Sequence, residues 1–224
     1  MLYFEKSGVE PASLAVEREK PSGKYNLADV LEQLKRDFKN KCYICELKNP
    51  TSINVEHFVP HKDADVNLKF GWSNLFYACY HCNNLKSDKF IDLLNCTTDE
   101  GIEGKLRYEV QVMPHGKVKV DVVDASREAE NTRELVLAAY NGTTSLKKLE
   151  GANIREVLIQ DVRQFTNLLF DFYAADDNDL NDEDKAALKL GIQRHISKSA
   201  GFASFKRLVI RENELFMSDF GEFL

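Results

Sequence analysis

Long apolar runs are missing from this sequence, and with them the about 20 apolar residues that a membrane-spanning helix needs. The opening Met1-Leu2-Tyr3-Phe4-Glu5-Lys6 lacks the basic, apolar and small-residue regions of a secretory leader. A cytoplasmic protein with no membrane partner is therefore expected. There are no internal repeats and no low-complexity tract. Basic excess is absent as well: 30 Lys and Arg stand against 36 Asp and Glu, a formal charge of −6. The deficit is spread, with 13 basic and 15 acidic groups in residues 1–100 and 17 and 21 in residues 101–224. Proteins that grip nucleic acid unaided usually carry a basic excess or stripe, so such a role here needs a local patch or a partner. What is present is enough to fold: hydrophobic residues make up 43% and charged residues 29%, which suits one large domain or two small ones.

Cysteine is scarce but patterned. The five cysteines are Cys42, Cys45, Cys79, Cys82 and Cys96, and an odd number without a leader argues against a disulfide framework. Four form two C-x-x-C pairs separated by 33 residues. Each pair can make a tight knuckle aiming two thiolates at one point, and two knuckles complete a tetrahedral zinc site. The competing reading is a redox pair or two unrelated thiol pairs. Cys96 lies beyond the set and reads as a small buried hydrophobe.

Along the chain, residues 1–25 show no sustained period and read as an extended arm. Leu27, Val30, Leu31, Leu34 and Phe38 then follow the 3-and-4 spacing of an amphipathic helix. Residues 53–59 alternate and stop at Pro60, which suits a short strand. A charged loop over 61–74 follows, and a helix is expected to start at the second knuckle with Asn83, Leu85, Lys86 and Lys89. Residues 106–112 and 117–123 alternate around Pro114-His115-Gly116 as a hairpin. Beyond Ala125 the pattern is helical over roughly 127–140, 153–173, 183–196 and 202–216, with the acidic turn Asp176-Asp177-Asn178-Asp179 between two of these. The expected division is an arm and helix over 1–38, a zinc-bearing core over 39–95, and a hairpin plus helical docking region over 96–224.

Between the knuckles stand Glu56-His57-Phe58-Val59-Pro60 and Trp72-Ser73-Asn74-Leu75, and the second knuckle runs into Asn83-Asn84-Leu85-Lys86. Phosphodiester cleavage needs a base for water, a divalent ion on the scissile phosphate and charge relief for the leaving oxygen. His57 has the pKa range for the base. Glu56 and Asn83 offer hard oxygen ligands suited to Mg²⁺. Lys86, one helical turn past Asn83, is expected on the same face, where it could meet a phosphate.

This arrangement resembles the HNH endonuclease family, whose acidic-His pair, Pro, central Asn-Leu and C-x-x-C-His/Asn-x-x-Lys stand here as Glu56-His57…Pro60, Asn74-Leu75 and Cys79-x-x-Cys82-Asn83-x-x-Lys86. The resemblance implies an α+β fold: a zinc-stabilised ββα-metal core, with a β-hairpin and a mainly helical C-terminal region. It implies that His57 is the general base, that Asn74 braces the loop and orients the imidazole, and that Glu56 and Asn83 bind a catalytic Mg²⁺ or Mn²⁺. Asn83 replaces the final His of the pattern, and Glu56 stands where Asp is commoner. A narrower resemblance, carried by Phe4-Glu5-Lys6, Glu10-Pro11, Leu14, Glu56-His57-Phe58-x-Pro60, and loosely by Leu137-Ala-Ala-Tyr-Asn141 and Arg155, is to the HNH component (PtuB-like) of Septu anti-phage systems, also found beside retrons. It implies an ATPase partner (PtuA-like) and an antiviral role. The substrate is nucleic acid, DNA by resemblance, although nothing in the sequence excludes RNA. A non-catalytic zinc scaffold is the alternative, and the intact trio of His57, Asn74 and Asn83 argues against it.

The remaining candidates have plainer readings. His61 follows Pro60 as a loop residue that could add a second imidazole. His81 sits inside a knuckle whose four thiolates already satisfy a zinc ion. His115 belongs to a turn and His195 to a helix face. Trp72 packs under a loop or stacks on a base. Lys35, Arg36, Lys39 and Lys41 form either a phosphate track or a solvated helix end, with Lys62 and Lys89 as further local cations.

Overall fold

A computed structural model describes residues 1–61, 65–111, 116–174 and 181–224. The fold mixes nine α-helices and two small antiparallel sheets among the described residues. The first 25 residues are not simply extended. Pro11 fixes the backbone ahead of helix α1 (Ala12–Arg18), which buries only Leu14 and Glu17 and is too short to show a period. Helix α2 (Ala28–Asp37) buries Val30 and Leu34 and packs on the strand that later leads into the second knuckle.

Strand β1 (Ile53–His57) pairs antiparallel with β2 (Leu75–Cys79), placing Glu56 opposite Phe76 and His57 opposite Leu75. Strand β2 is buried throughout, so its sequence shows no alternation. The connection is more ordered than a loop: α3 (Val66–Phe70), capped by the Asp65 carboxylate, is followed by a 3₁₀ turn at Trp72–Asn74. Helix α4 (Tyr80–Lys86) leaves β2 directly and packs on both strands.

The hairpin of β3 (Leu106–Gln111) and β4 (Lys117–Val122) lies at the expected positions. Pro114-His115, the turn expected from the sequence, lie outside the described residues, as do Lys62 and Asp176-Asp177-Asn178-Asp179. Helices α5 (Arg127–Asn141) and α6 (Ser145–Tyr173) pack closely, because Gly151 sits against the Tyr140 carbonyl where a Cβ would come within 2.5 Å. The helix expected near 202–216 is two: α8 (Ala203–Arg211) and α9 (Glu214–Phe220), the second started by the Asn213 side chain, after α7 (Asp182–Ile196). One core gathers Phe4, Val30, Leu34, Phe38, Tyr43, Phe76, Leu106, Val136, Tyr140 and Phe205. A second holds Phe165, Leu169, Ile192, Ile196, Ile210 and Phe220. No helix among the described residues is long and apolar enough to cross a membrane.

Candidate active site

The four cysteines of the two knuckles converge. Cys42, Cys45, Cys79 and Cys82 are all buried, and their sulfurs lie within 4.8 Å of one another, with Cys45 and Cys79 at 3.9 Å. A tetrahedral zinc with Zn–S bonds of about 2.3 Å sets its sulfurs about 3.8 Å apart, so the donor set fits a structural zinc. The knuckles are tied together by backbone: the Tyr43 amide donates to the Tyr77 carbonyl at 3.1 Å. His81 is not a competing ligand, since its Nδ1 faces Glu150 at 2.6 Å and its Nε2 the Ala139 carbonyl at 2.8 Å. Cys96 is buried apart from the cluster.

Next to the zinc cluster, β1 and α4 border a cleft of about 460 Å³, lined by Tyr25, Val55, Glu56, His57, Pro60, His61, Asn83, Asn84, Ser87 and Asp88. Successive strand residues face opposite sides, so Glu56 turns toward α4 while His57 turns toward α3 and the N-terminal segment. His57 Nε2 lies 3.0 Å from the Lys69 carbonyl. A carbonyl only accepts, so Nε2 carries the proton and Nδ1 holds the free lone pair. Burial pushes the His57 pKa down to about 4, against the pull of the Lys69 carbonyl, and keeps the imidazole neutral at pH 7. Tyr25 meets the ring edge-on at 4.4 Å between centroids, and His61 packs against it at 4.3 Å.

Asn74 is buried and makes three side-chain hydrogen bonds. It accepts from the Val59 amide at 2.7 Å and donates to the Val59 and Leu68 carbonyls at 2.8 and 2.9 Å. These bonds end β1 at His57 and lock the following turn onto α3. The brace reaches the imidazole at one remove, because Leu68 precedes the residue whose carbonyl holds Nε2. Asn83 borders the cleft from α4, and no hydrogen bond engages its side-chain amide among the described residues.

Lys86 sits elsewhere than expected. It is fully enclosed, with Nζ 2.8 Å from Glu56 Oε1 and 2.9 Å from the His57 carbonyl, and it does not line the cleft. One turn along α4 from Asn83 the side chain passes beneath β1, so its ammonium neutralises Glu56 from behind instead of meeting a phosphate. Burial still pushes the Glu56 carboxyl up to about 7, with Lys86 pulling it down. Lys41 also departs from the expected surface track: it is buried, 3.6 Å from Glu46, and donates to the Lys198 carbonyl. Trp72 packs under its loop, its indole N–H donating to the Ser7 carbonyl at 2.7 Å. His195 lies beside Asp161 and Lys206, away from the cleft.

Glu56, His57 and Asn83 thus share one cleft, with Asn74 bracing it from behind. Sequence reasoning missed Tyr25, which lies in an aperiodic arm, and the Lys69 carbonyl, a backbone group that no residue pattern announces.

Residues 42–89 match the family model of the HNH endonuclease. The match spans both knuckles, β1, β2 and α4, and so takes in every residue lining the cleft except Tyr25. No curated protein and no solved structure matches the chain.

Proposed function

We propose that this chain is a metal-dependent HNH endonuclease that hydrolyses phosphodiester bonds of nucleic acid, DNA before RNA. The observation that carries the reading is the convergence of Glu56, His57 and Asn83 on one cleft, with the His57 tautomer set by the Lys69 carbonyl. His57 Nδ1 takes the proton of the attacking water, and Nε2 keeps its own proton against the Lys69 carbonyl as the imidazole becomes positive. The second Glu56 oxygen and the Asn83 amide oxygen are hard donors suited to Mg²⁺ or Mn²⁺. Such an ion, when bound, supplies positive charge at the scissile phosphate. That charge matters because the described residues lining the cleft include Glu56 and Asp88 but no Lys or Arg. Zinc at the four cysteines is structural and holds β2 and α4 in place. The direct test is cleavage of plasmid DNA and of RNA with and without Mg²⁺ or Mn²⁺, using His57→Ala as the control that separates this reading from a zinc scaffold.

In the cell we assign the nuclease to an anti-phage complex with an ATPase, on the Septu and retron resemblance. Two features support a helper: the charge of −6, and the exposed apolar side chains of Leu146, Leu149 and Phe170 along α6. Non-specific binding to nucleic acid rests on several Lys or Arg contacts to phosphate. The isolated chain is therefore expected to bind DNA and RNA weakly at ~0.15 M salt, and to cut efficiently only with its partner. Submicromolar binding with efficient turnover by the chain alone overturns the partner requirement.

A further inference from the structure

The N-terminal segment lies outside the residues that match the HNH family, yet its Tyr25 lines the cleft. We propose that Tyr25 is a positioning residue for His57, delivered by α1 and the turn that follows it; this rests on His57 being the base.

The segment is built to place that ring. The Glu17 carboxylate near the end of α1 accepts from the Lys24 amide at 2.8 Å and pairs with the Lys20 ammonium at 2.5 Å. The turn closes through the Gly23 amide onto the Lys20 carbonyl at 3.2 Å. Gly23 is pressed so closely that a Cβ would stand 1.9 Å from the Glu17 carbonyl oxygen and 3.0 Å from the Phe70 ring. Only glycine permits this approach, and Tyr25 lies two residues on, where its ring meets His57 edge-on and faces His61 at 6.2 Å.

The same helix secures the other side of the imidazole. Arg18 donates to the Phe70 carbonyl at 3.2 Å and pairs with Glu10 at 3.0 Å, which ties α1 to the end of α3. The carbonyl that holds His57 Nε2 belongs to Lys69, the residue before Phe70. The same N-terminal segment therefore supports two restraints on the ring: an aromatic wall that limits its rotation beside His61, and the carbonyl that fixes its tautomer. The Tyr25 hydroxyl makes no hydrogen bond among the described residues, so the ring and not the oxygen does the positioning.

Loss of that wall frees the imidazole to rotate away from Lys69, and misplacing a catalytic group by about 1 Å costs about 10²-fold in rate. Tyr25→Ala is expected to lower kcat by that order with KM little changed, while Tyr25→Phe, which keeps the ring, stays close to the wild-type rate. Single-turnover cleavage of plasmid DNA with Mn²⁺ measures this, with zinc content and melting temperature as folding controls. Tyr25→Leu replaces Tyr25→Ala if the latter fails to hold zinc. A second readout needs no turnover: long-range ¹H–¹⁵N spectra of ¹⁵N-histidine protein, with His57 assigned by its loss in His57→Ala. Wild type and Tyr25→Phe should show one His57 tautomer protonated at Nε2, and the truncated variant a mixture. Wild-type kcat in the truncated variant, an equal loss in Tyr25→Phe, or an unchanged tautomer in the truncated variant overturns the positioning role. A wild type inactive even beside its partner would count against the nuclease reading alone, and inactivity of the isolated chain leaves the spectra to decide this one.

Discussion

Replacing Lys86 with methionine separates a buried structural lysine from one that meets substrate. The Lys86 ammonium is enclosed and serves Glu56 Oε1 at 2.8 Å and the His57 carbonyl at 2.9 Å. Methionine keeps the apolar stem, one atom shorter, but removes the charge and both hydrogen bonds. Breaking a buried ion pair by removing one partner costs about 3–5 kcal/mol, because the other charge stays buried and uncompensated. For a chain of this size about 1 kcal/mol moves the melting temperature by about 2–4 °C, so a drop of about 6–20 °C is expected. The cost depends on pH. Glu56 titrates near 7 in the folded state because burial raises it, and without Lys86 its pKa climbs further. A carboxyl raised on folding stabilises below its unfolded pKa and loses that contribution as pH rises through the folded one. The variant should therefore be nearest wild type at about pH 5 and fall furthest behind above pH 7. Glu56→Gln added to Lys86→Met should recover part of the loss. Thermal melts of zinc-loaded protein at several pH values provide the assay. A lysine facing solvent or substrate would cost within about 0.5 kcal/mol. A variant that melts like wild type at pH 8 yet has lost cleavage would refute the buried-pair assignment and return Lys86 to the phosphate.

Cys79→Ser should lose one zinc per chain and, with it, folded structure over residues 40–95, since structural zinc contributes folding energy outright; elemental analysis and circular dichroism check both, and retained zinc would break the four-cysteine assignment. His57→Ala should reduce cleavage by about 10²–10⁴-fold with zinc content unchanged, and a wild-type rate would mean that another group is the base. Asn74→Ala leaves the part-buried Val59 amide and the Val59 and Leu68 carbonyls without their side-chain partner, so stability should fall by about 1–3 kcal/mol, measured by urea unfolding, together with the rate. Cleavage should stop on removal of Mg²⁺ and Mn²⁺ even with zinc in place.

Much of the site was legible because its chemistry is encoded by residue type and short spacing. Two C-x-x-C pairs announce a common point in space, and Glu56-His57, Asn74 and Asn83 belong to a pattern of which the structure brings Glu56, His57 and Asn83 to one cleft, with Asn74 behind it. The long helices α5 to α7 and the β3–β4 hairpin carry enough residues for a period to show. What escaped was short, or buried on every side. Helix α1 has seven residues and two buried positions, α3 has five residues, and β2 is buried throughout. Lys86 shows the limit of facial reasoning on a helix of two turns: a lysine three residues from Asn83 was expected beside it, but proximity to Glu56 and the His57 carbonyl drew the ammonium inward. Tyr25 has no sequence signal, because its role depends on where the turn after α1 delivers it.

The restraints on His57 come from five directions: β2 through strand register, α3 through the Lys69 carbonyl, α4 through Lys86, the N-terminal turn through Tyr25, and the segment after β1 through the His61 ring. They are unequal in energy. A single hydrogen bond contributes about 0.5–1.5 kcal/mol net, whereas structural zinc binding is worth about 10–16 kcal/mol in zinc-finger peptides. Cys79 ends β2 and Cys82 lies in α4, so removing zinc releases two of the five directions at once. The second core, built by Phe165, Leu169, Ile192, Ile196, Ile210 and Phe220, contains no zinc ligand and no residue of β1, β2 or α4. Chelation should therefore unfold the cleft ahead of the C-terminal helices. Amide hydrogen exchange after treatment with a strong zinc chelator should show protection lost first across β1, β2 and α4, with α7 and the C-terminal half of α6 still protected. Simultaneous loss across the chain would mean that the two cores unfold as one cooperative unit, and that zinc holds the whole fold and not the site alone.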